Sequence, residues 1–382
     1  MVEIAHFGVE AWLNKWEKSA TYDISQSTIA SLSMHDLLNL DGNNGKEFYE
    51  MLDKQQMNYG WIEGSPEFKE EVAKLYHHVD PENILQTNGA TGANILALYA
   101  LINPGDHVIA EYPSYQQLYD IPKSLGADVD YWHIHEEDDW YPRIDDLKAM
   151  VKPNTKMICL NNANNPTGTV LDKEFLEQVV EIAKSVDAYV LVDEVYLPLD
   201  HPEKFAQIID LYDKGISTNS LSKTYSVPGA RIGWTATNAE VADVFRKFRD
   251  YTMICGGVFN DQLATYVLRH RDQVLARNRK LVLGNLAVYK DWIDHEDRAS
   301  VIMPQAVSTS FPKLDVPVDI HTFCENLLHD EGVLLVPGDA FDTPGHVRLG
   351  YCAPEATLKE GLKRLSKYMP VSYTHLRAHE TD

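Results

Sequence analysis

Between residues 83 and 250, short apolar runs alternate with stretches in which apolar side chains recur every three or four positions. The runs predict strands at 84–87, 107–111, 128–132, 156–160, 189–192, 216–219 and 232–236. The clearest helical stretch is 173–186, with Leu176, Val179, Val180, Ala183 and Val186 on one face and Asp172 placed to cap its start. Strand–helix alternation of this kind predicts an α/β fold, a mostly parallel central sheet covered by helices on both faces. Past about residue 275 the texture changes. A long helix is predicted over 271–292, then β-like runs at 307–311 and 346–350, with helices at 320–328 and 356–368. This pattern predicts a smaller α+β domain.

The expected division is an N-terminal arm with part of the small domain (1–48), a large domain (49–275) and a small C-terminal domain (276–370). Residues 371–382 lack periodicity, follow a finished helix and resemble translated vector or adapter sequence, so they are expected to be a non-native tail.

Composition narrows the function classes. With 382 residues, 44% of them hydrophobic and 24% charged, the chain has material for a large and a small domain, and disorder is excluded as its main state. A net charge of −23 repels phosphate backbones and anionic lipid, which argues against a nucleic-acid or membrane-surface role. Cys159, Cys255, Cys324 and Cys352 are far apart and form no CxxC, so neither a disulfide framework nor a metal site is expected. The start of the chain has no apolar signal region, and the longest apolar runs, such as 95–102, fall short of a span of about 20 residues. The expectation is a soluble, cytoplasmic protein.

Three segments carry chemistry. Ser220-Leu221-Ser222-Lys223 closely follows a predicted strand and leads to Arg231-Ile232-Gly233. Asn161-Asn162-Ala163-Asn164-Asn165-Pro166-Thr167-Gly168 follows the apolar run ending at Leu160. Asp193 and Tyr196 stand at the end of the run containing Val190–Val192. All three therefore put polar groups at the carboxyl ends of strands, where open α/β sheets bind ligands. A primary amine, a buried carboxylate, a phenol, an amide and an arginine match pyridoxal phosphate part by part. Lys223 can form the Schiff base, and Asp193 can keep the pyridine nitrogen protonated. Tyr196 and Asn165 can hydrogen-bond the ring oxygen, and Ser220, Ser222 and Arg231 can hold the phosphate.

The ensemble resembles the class I/II aminotransferase family of fold-type I pyridoxal-phosphate enzymes, over about residues 50 to 368. The resemblance implies an aspartate-aminotransferase-like fold and a homodimer with a shared active site. It implies that Gly89-Ala90-Thr91-Gly92 opens a helix over 94–102 and turns N–H groups towards the cofactor phosphate. It implies further that Tyr115 stacks on the ring and that Tyr59 reaches the neighbouring subunit's phosphate. Arg348 would grip the substrate carboxylate. The implied activity is amino transfer between an L-amino acid and a 2-oxo acid by a ping-pong mechanism.

Two segments depart from the family pattern. Residues 22–29 lack the usual glycine and proline of the N-terminal substrate strand, and Phe68-Lys69 stands where Leu-Arg is common. The first departure gives a loose likeness to capreomycidine synthase-type relatives. It keeps open an alternative on the same scaffold, a lyase or cyclising enzyme (β/γ-elimination or carbon–sulfur bond cleavage). A regulatory binding module is disfavoured, because no basic recognition helix precedes residue 50.

Overall fold

The structure, a computed structural model, describes residues 3–40 and 42–379, the side chains of 371–379 excepted. Its centre is a seven-stranded sheet. The strands are β1 (Ile84–Asn88), β2 (His107–Tyr112), β3 (Asp128–His133), β4 (Thr155–Asn161), β5 (Tyr189–Asp193), β6 (Gly215–Ser220) and β7 (Ile232–Ala236). Their order is β1-β7-β6-β5-β4-β2-β3, and every neighbouring pair is parallel except the two involving β7. Each strand lies within one residue of its expected bounds.

The long apolar runs are explained by burial on both faces. Val108, Met157 and Leu191 pack into one core cluster, while their neighbours Ile109, Ile158, Val190 and Val192 point into another. The first cluster is closed by Leu96, Leu98 and Leu101 of the helix Gly89–Leu101, and the second by Leu176, Val179 and Val180 of the helix Lys173–Ser185. Asp172 caps the latter, accepting a hydrogen bond from Phe175 N at 2.8 Å.

A separate core joins the two ends of the chain. Val9 and Trp12 of the helix Gly8–Trp16, with Ile24, pack among Phe323, Leu327, Leu334 and Leu362. Tyr22–Asp23 pairs in parallel with Val333–Leu334, and Val336–Pro337 pairs antiparallel with Val347–Arg348. The expected strand at 307–311 is absent apart from one bridge, Ser310 to Leu349. The run, Val307-Ser308-Thr309-Ser310-Phe311, is buried: Ser310 exchanges backbone bonds with Leu349, Tyr351 donates to the Val307 carbonyl, and Ser308 Oγ reaches out to the Ser27 carbonyl at 2.6 Å.

The last helix, Glu355–His379, overruns the expected end at 368. Residues 371–379 offer no glycine to stop it, and Pro370 is accommodated within it. The reading of 371–382 as a non-native tail falls on side chains outside the described residues. Among the described residues, no helix is long and apolar enough to cross a membrane, and no cluster of His, Cys, Asp and Glu is placed to hold a metal.

Candidate active site

Strand direction assembles the site. β4, β5 and β6 end side by side at Asn161, Asp193 and Ser220. The antiparallel β7 starts at the same edge, pairing Ile232 with Asn88 and Gly233 with Ser220. Arg231 thereby arrives beside Gly89, although 142 positions separate them in sequence (231 − 89). A cavity of about 1000 Å³ opens at this edge. Its walls include Ala90, Thr91, Tyr115, Asn165, Asp193, Tyr196, Ser220, Ser222, Lys223, Arg231 and Arg348. Two expected site residues do not line it. Gly89 lies behind Arg231, and Tyr59, 79% exposed, borders a second cavity of about 290 Å³ with Trp61 and Val258.

Asp193 is buried, and burial pushes its carboxyl up to about 6, although hydrogen bonds and the Lys223 charge pull the other way. Its Oδ2 accepts from Asn94 Nδ2 at 2.7 Å and its Oδ1 from Val195 N at 3.3 Å. Asn94 in turn accepts from Thr218 Oγ1 at 2.6 Å. Burial, then the neighbouring Arg348 charge, bring the Lys223 ammonium down to about 8. Lys223 Nζ donates to Ser27 Oγ at 2.9 Å. Burial pushes the Tyr196 phenol up to about 12, opposed by the Arg348 charge and the polar Ser27 side chain. Arg348, fully within the protein, donates to the Ser25 carbonyl from Nη2 at 3.0 Å and from Nε at 3.2 Å. Its Nη1 donates to Asn165 Oδ1 at 3.2 Å. The Asn165 backbone is fixed by Asn161 Oδ1, which accepts its N–H at 2.8 Å.

These groups fit pyridoxal phosphate. The hydrogen-bond donors to the Asp193 carboxylate are neutral, so a protonated ring nitrogen would provide the cation that a buried carboxylate needs. The helix expected over 94–102 begins earlier, at Gly89, so Ala90 and Thr91 belong to its first turn. Their N–H groups have no carbonyl within the helix to bond. With Ser220, Ser222 and the guanidinium of Arg231, which line the same cavity, they would form a cradle for an anion. Arg231 Nη1 lies 3.5 Å from Ser222 Oγ. Gly89 makes room for this cradle: it has φ +67°, and a Cβ there would stand 2.6 Å from Arg231 Nη2. Gly89→Ala is therefore expected to displace Arg231 and weaken cofactor affinity by about tenfold or more, measured by equilibrium titration of the cofactor-stripped chain. Unchanged affinity would remove Arg231 from the cradle.

Sequence reasoning passed over Asn94, Glu111 and the Ser25–Ser27 segment. Asn94 had a legible signal, a lone amide in the apolar stretch Ala93–Leu101, which must find partners if buried. Glu111 is buried beneath the Asn161–Asn165 loop and accepts from Asn161 N at 3.0 Å; burial pushes its carboxyl up to about 7. Residues 25–27 stood out only as part of the departure from the family pattern at 22–29; their own place beside Arg348 and Lys223 depends on a contact across more than 190 positions. Gly350 permits that approach: its N–H donates to the Ile24 carbonyl at 2.9 Å, and a Cβ there would collide with the Gln26 carbonyl oxygen.

Comparison with known proteins agrees with this geometry. The family model for aminotransferase class I and II matches residues 44–365. Capreomycidine synthase of Streptomyces vinaceus is 28% identical over 378 residues, covering 97% of this chain and 94% of that protein. Aspartate aminotransferase of Thermotoga maritima is 29% identical over 338 residues, covering 85% and 86%. The crystal structure of a PLP-dependent aminotransferase from Streptococcus suis 89-1591 superposes with a TM-score of 0.94 at 54% identity, covering 96% of this chain and 98% of that one. With its lysine, carboxylate and anion cradle gathered at one sheet edge, and with this match over most of its length, the chain belongs to the class I and II aminotransferase family and its cofactor is pyridoxal phosphate.

Proposed function

We propose that the chain transfers an amino group between an L-amino acid and a 2-oxo acid by a ping-pong mechanism. The observation that carries this reading is that Lys223, Asp193 and Arg348 line one cavity. When bound, pyridoxal phosphate supplies an electrophilic carbonyl carbon and an electron-accepting ring. Lys223 is the tether for that carbon and then the proton carrier at the substrate Cα. Asp193 holds the ring nitrogen protonated. Tyr196 and Asn165 hydrogen-bond the ring oxygen, and Tyr115 covers the ring face. The first-turn amides, Ser220, Ser222 and Arg231 hold the phosphate, and Arg348 binds the substrate carboxylate. Tyr59, remote from this cavity, serves the site of a second copy in a homodimer. Residues 49–275 carry the cofactor, while 1–48 and 276–370 form the smaller domain that brings Arg348. The proposed compartment is the cytoplasm.

The Lys223 value makes cofactor capture pH-dependent. An amine titrating at about 8 is roughly 10% neutral at pH 7 and half neutral at pH 8. Only the neutral form attacks a carbonyl. The rate at which the stripped chain recaptures pyridoxal phosphate, followed by stopped-flow absorbance, is expected to rise through about pH 8 and then level off. A rate that goes on rising about tenfold per pH unit beyond pH 9, as for a solvated amine, contradicts the placement of Lys223 in a desolvated site beside Arg348.

Arg348→Ala is expected to raise KM for the amino acid by about 10- to 100-fold, as loss of a charge-assisted carboxylate contact predicts. Unchanged KM and kcat/KM in steady-state assays would remove Arg348 from the substrate site.

A second reading has its own support in the full-length match to capreomycidine synthase: a PLP-dependent cyclising enzyme or lyase on the same scaffold. A panel of amino acids separates the two. Amino transfer requires a 2-oxo acid acceptor and leaves pyridoxamine phosphate in its absence. Elimination releases ammonia and keto acid without an acceptor, and cyclisation gives a product that retains the substrate nitrogen. Formation of pyridoxamine phosphate supports the proposal, and ammonia release or a cyclic product alone overturns it.

A further inference from the structure

The segment that departs from the family pattern is the one that touches the reacting lysine. Ser27 is 4% exposed, and its hydroxyl accepts a hydrogen bond from Lys223 Nζ at 2.9 Å. The Tyr196 phenol lines the same cavity as Ser27. The Ser27 backbone is pinned from two sides. Ser308 Oγ donates to the Ser27 carbonyl at 2.6 Å, and two residues earlier the Ser25 carbonyl accepts both contacts from Arg348.

We propose that Ser27 is a positioning residue for the reaction. Its hydroxyl holds the Lys223 side-chain nitrogen whenever that nitrogen is not joined to the cofactor. The inference rests on Lys223 being the proton carrier. A lysine amine on a four-carbon stem loses alignment unless an acceptor fixes it. The other charged groups that face Lys223 are Arg348, Glu10, Asp193 and Arg231. The two arginines disfavour a proton on the amine, and the two acids favour it. Ser27 adds a neutral acceptor within hydrogen-bond reach, which favours the protonated form. Because Arg348 grips the carbonyl of Ser25, a substrate carboxylate arriving at Arg348 competes with the contact that anchors this segment. Substrate binding is thereby coupled to the placement of the lysine.

The test compares Ser27→Ala with Ser27→Thr, which keeps the hydroxyl. In the full-length chain stripped of cofactor, the pH dependence of Lys223 acylation by an activated ester, mapped by peptide mass spectrometry, reports the titration of the amine. Ser27→Ala is expected to lower that midpoint by about one unit, as loss of an acceptor to a charged group predicts, and Ser27→Thr to restore it. In the holoenzyme, Ser27→Ala is expected to lower kcat by about tenfold with KM within about twofold. The resting visible spectrum should be unchanged, because the lysine is then joined to the cofactor. An unchanged Lys223 midpoint in Ser27→Ala overturns the proposal, and so does an unchanged kcat. A midpoint that Ser27→Thr does not restore also overturns it, by making the effect one of packing. The acylation measurement does not depend on the reaction catalysed. A cyclase or lyase result in the amino-acid panel would therefore overturn the proposed function while leaving the Ser27 assignment to its own test.

Discussion

Lys223→Ala is expected to abolish turnover, with kcat falling on the order of 10⁴-fold or more, and to remove the visible absorbance of the covalently held cofactor. The size of the effect follows from two roles resting on one atom. The lysine nitrogen is both the covalent tether and the group that carries the proton at the substrate Cα. Among the residues lining the cavity there is no second lysine to replace it. Its environment is specific as well: burial and Arg348 together bring it to about 8, whereas a solvated surface amine stays above 10. Spectra and initial rates on the purified variant decide the matter. A variant that keeps both the absorbance and the activity contradicts the assignment.

Asp193→Ala is expected to retain cofactor but to lose most of kcat. A carboxylate and a pyridinium at hydrogen-bond distance, about 3 Å, attract by roughly 5 kcal/mol at an effective dielectric of about 20, before desolvation is counted. The neutral hydrogen bond from Asn165 contributes about 1 kcal/mol. The Asp193 carboxylate meets only neutral donors, from Asn94 and Val195, so nothing else among its hydrogen-bond partners replaces its charge. A fall in kcat of about 10³-fold is expected, the desolvation cost having reduced the full Coulombic figure. If kcat stays within about tenfold, roughly 1.4 kcal/mol, the ring nitrogen does not depend on this carboxylate.

The sheet was legible because burial on both faces writes strands as continuous apolar runs. The run 189–192 became Tyr189–Asp193, and 216–219 became Gly215–Ser220; Asp193 and Ser220, gained at the carboxyl ends, line the cavity. The expectation of a strand failed at 307–311, a buried stretch with three hydroxyl residues that forms only the Ser310–Leu349 bridge and has its Val307 carbonyl taken by the Tyr351 phenol. Burial alone does not say where a segment's backbone hydrogen bonds go. Residues of the site that lie in short motifs, such as Asp193 and Tyr196 or Ser220 to Arg231, were readable because their spacing is local. Ser27 lay within the flagged segment 22–29, but nothing within reach along the chain hints that it meets Lys223. The Gly89 N–H donates to the Arg231 carbonyl at 3.1 Å, and its lack of a side chain leaves room for the Arg231 guanidinium.

The most direct measurement is reduction of the holoenzyme with borohydride, followed by proteolysis and mass spectrometry of the peptides. Cofactor attachment at this site predicts a single pyridoxyl adduct on the peptide containing Ser222-Lys223-Thr224, at Lys223. An adduct on any other lysine, or none on a chain that retains its visible absorbance, contradicts it.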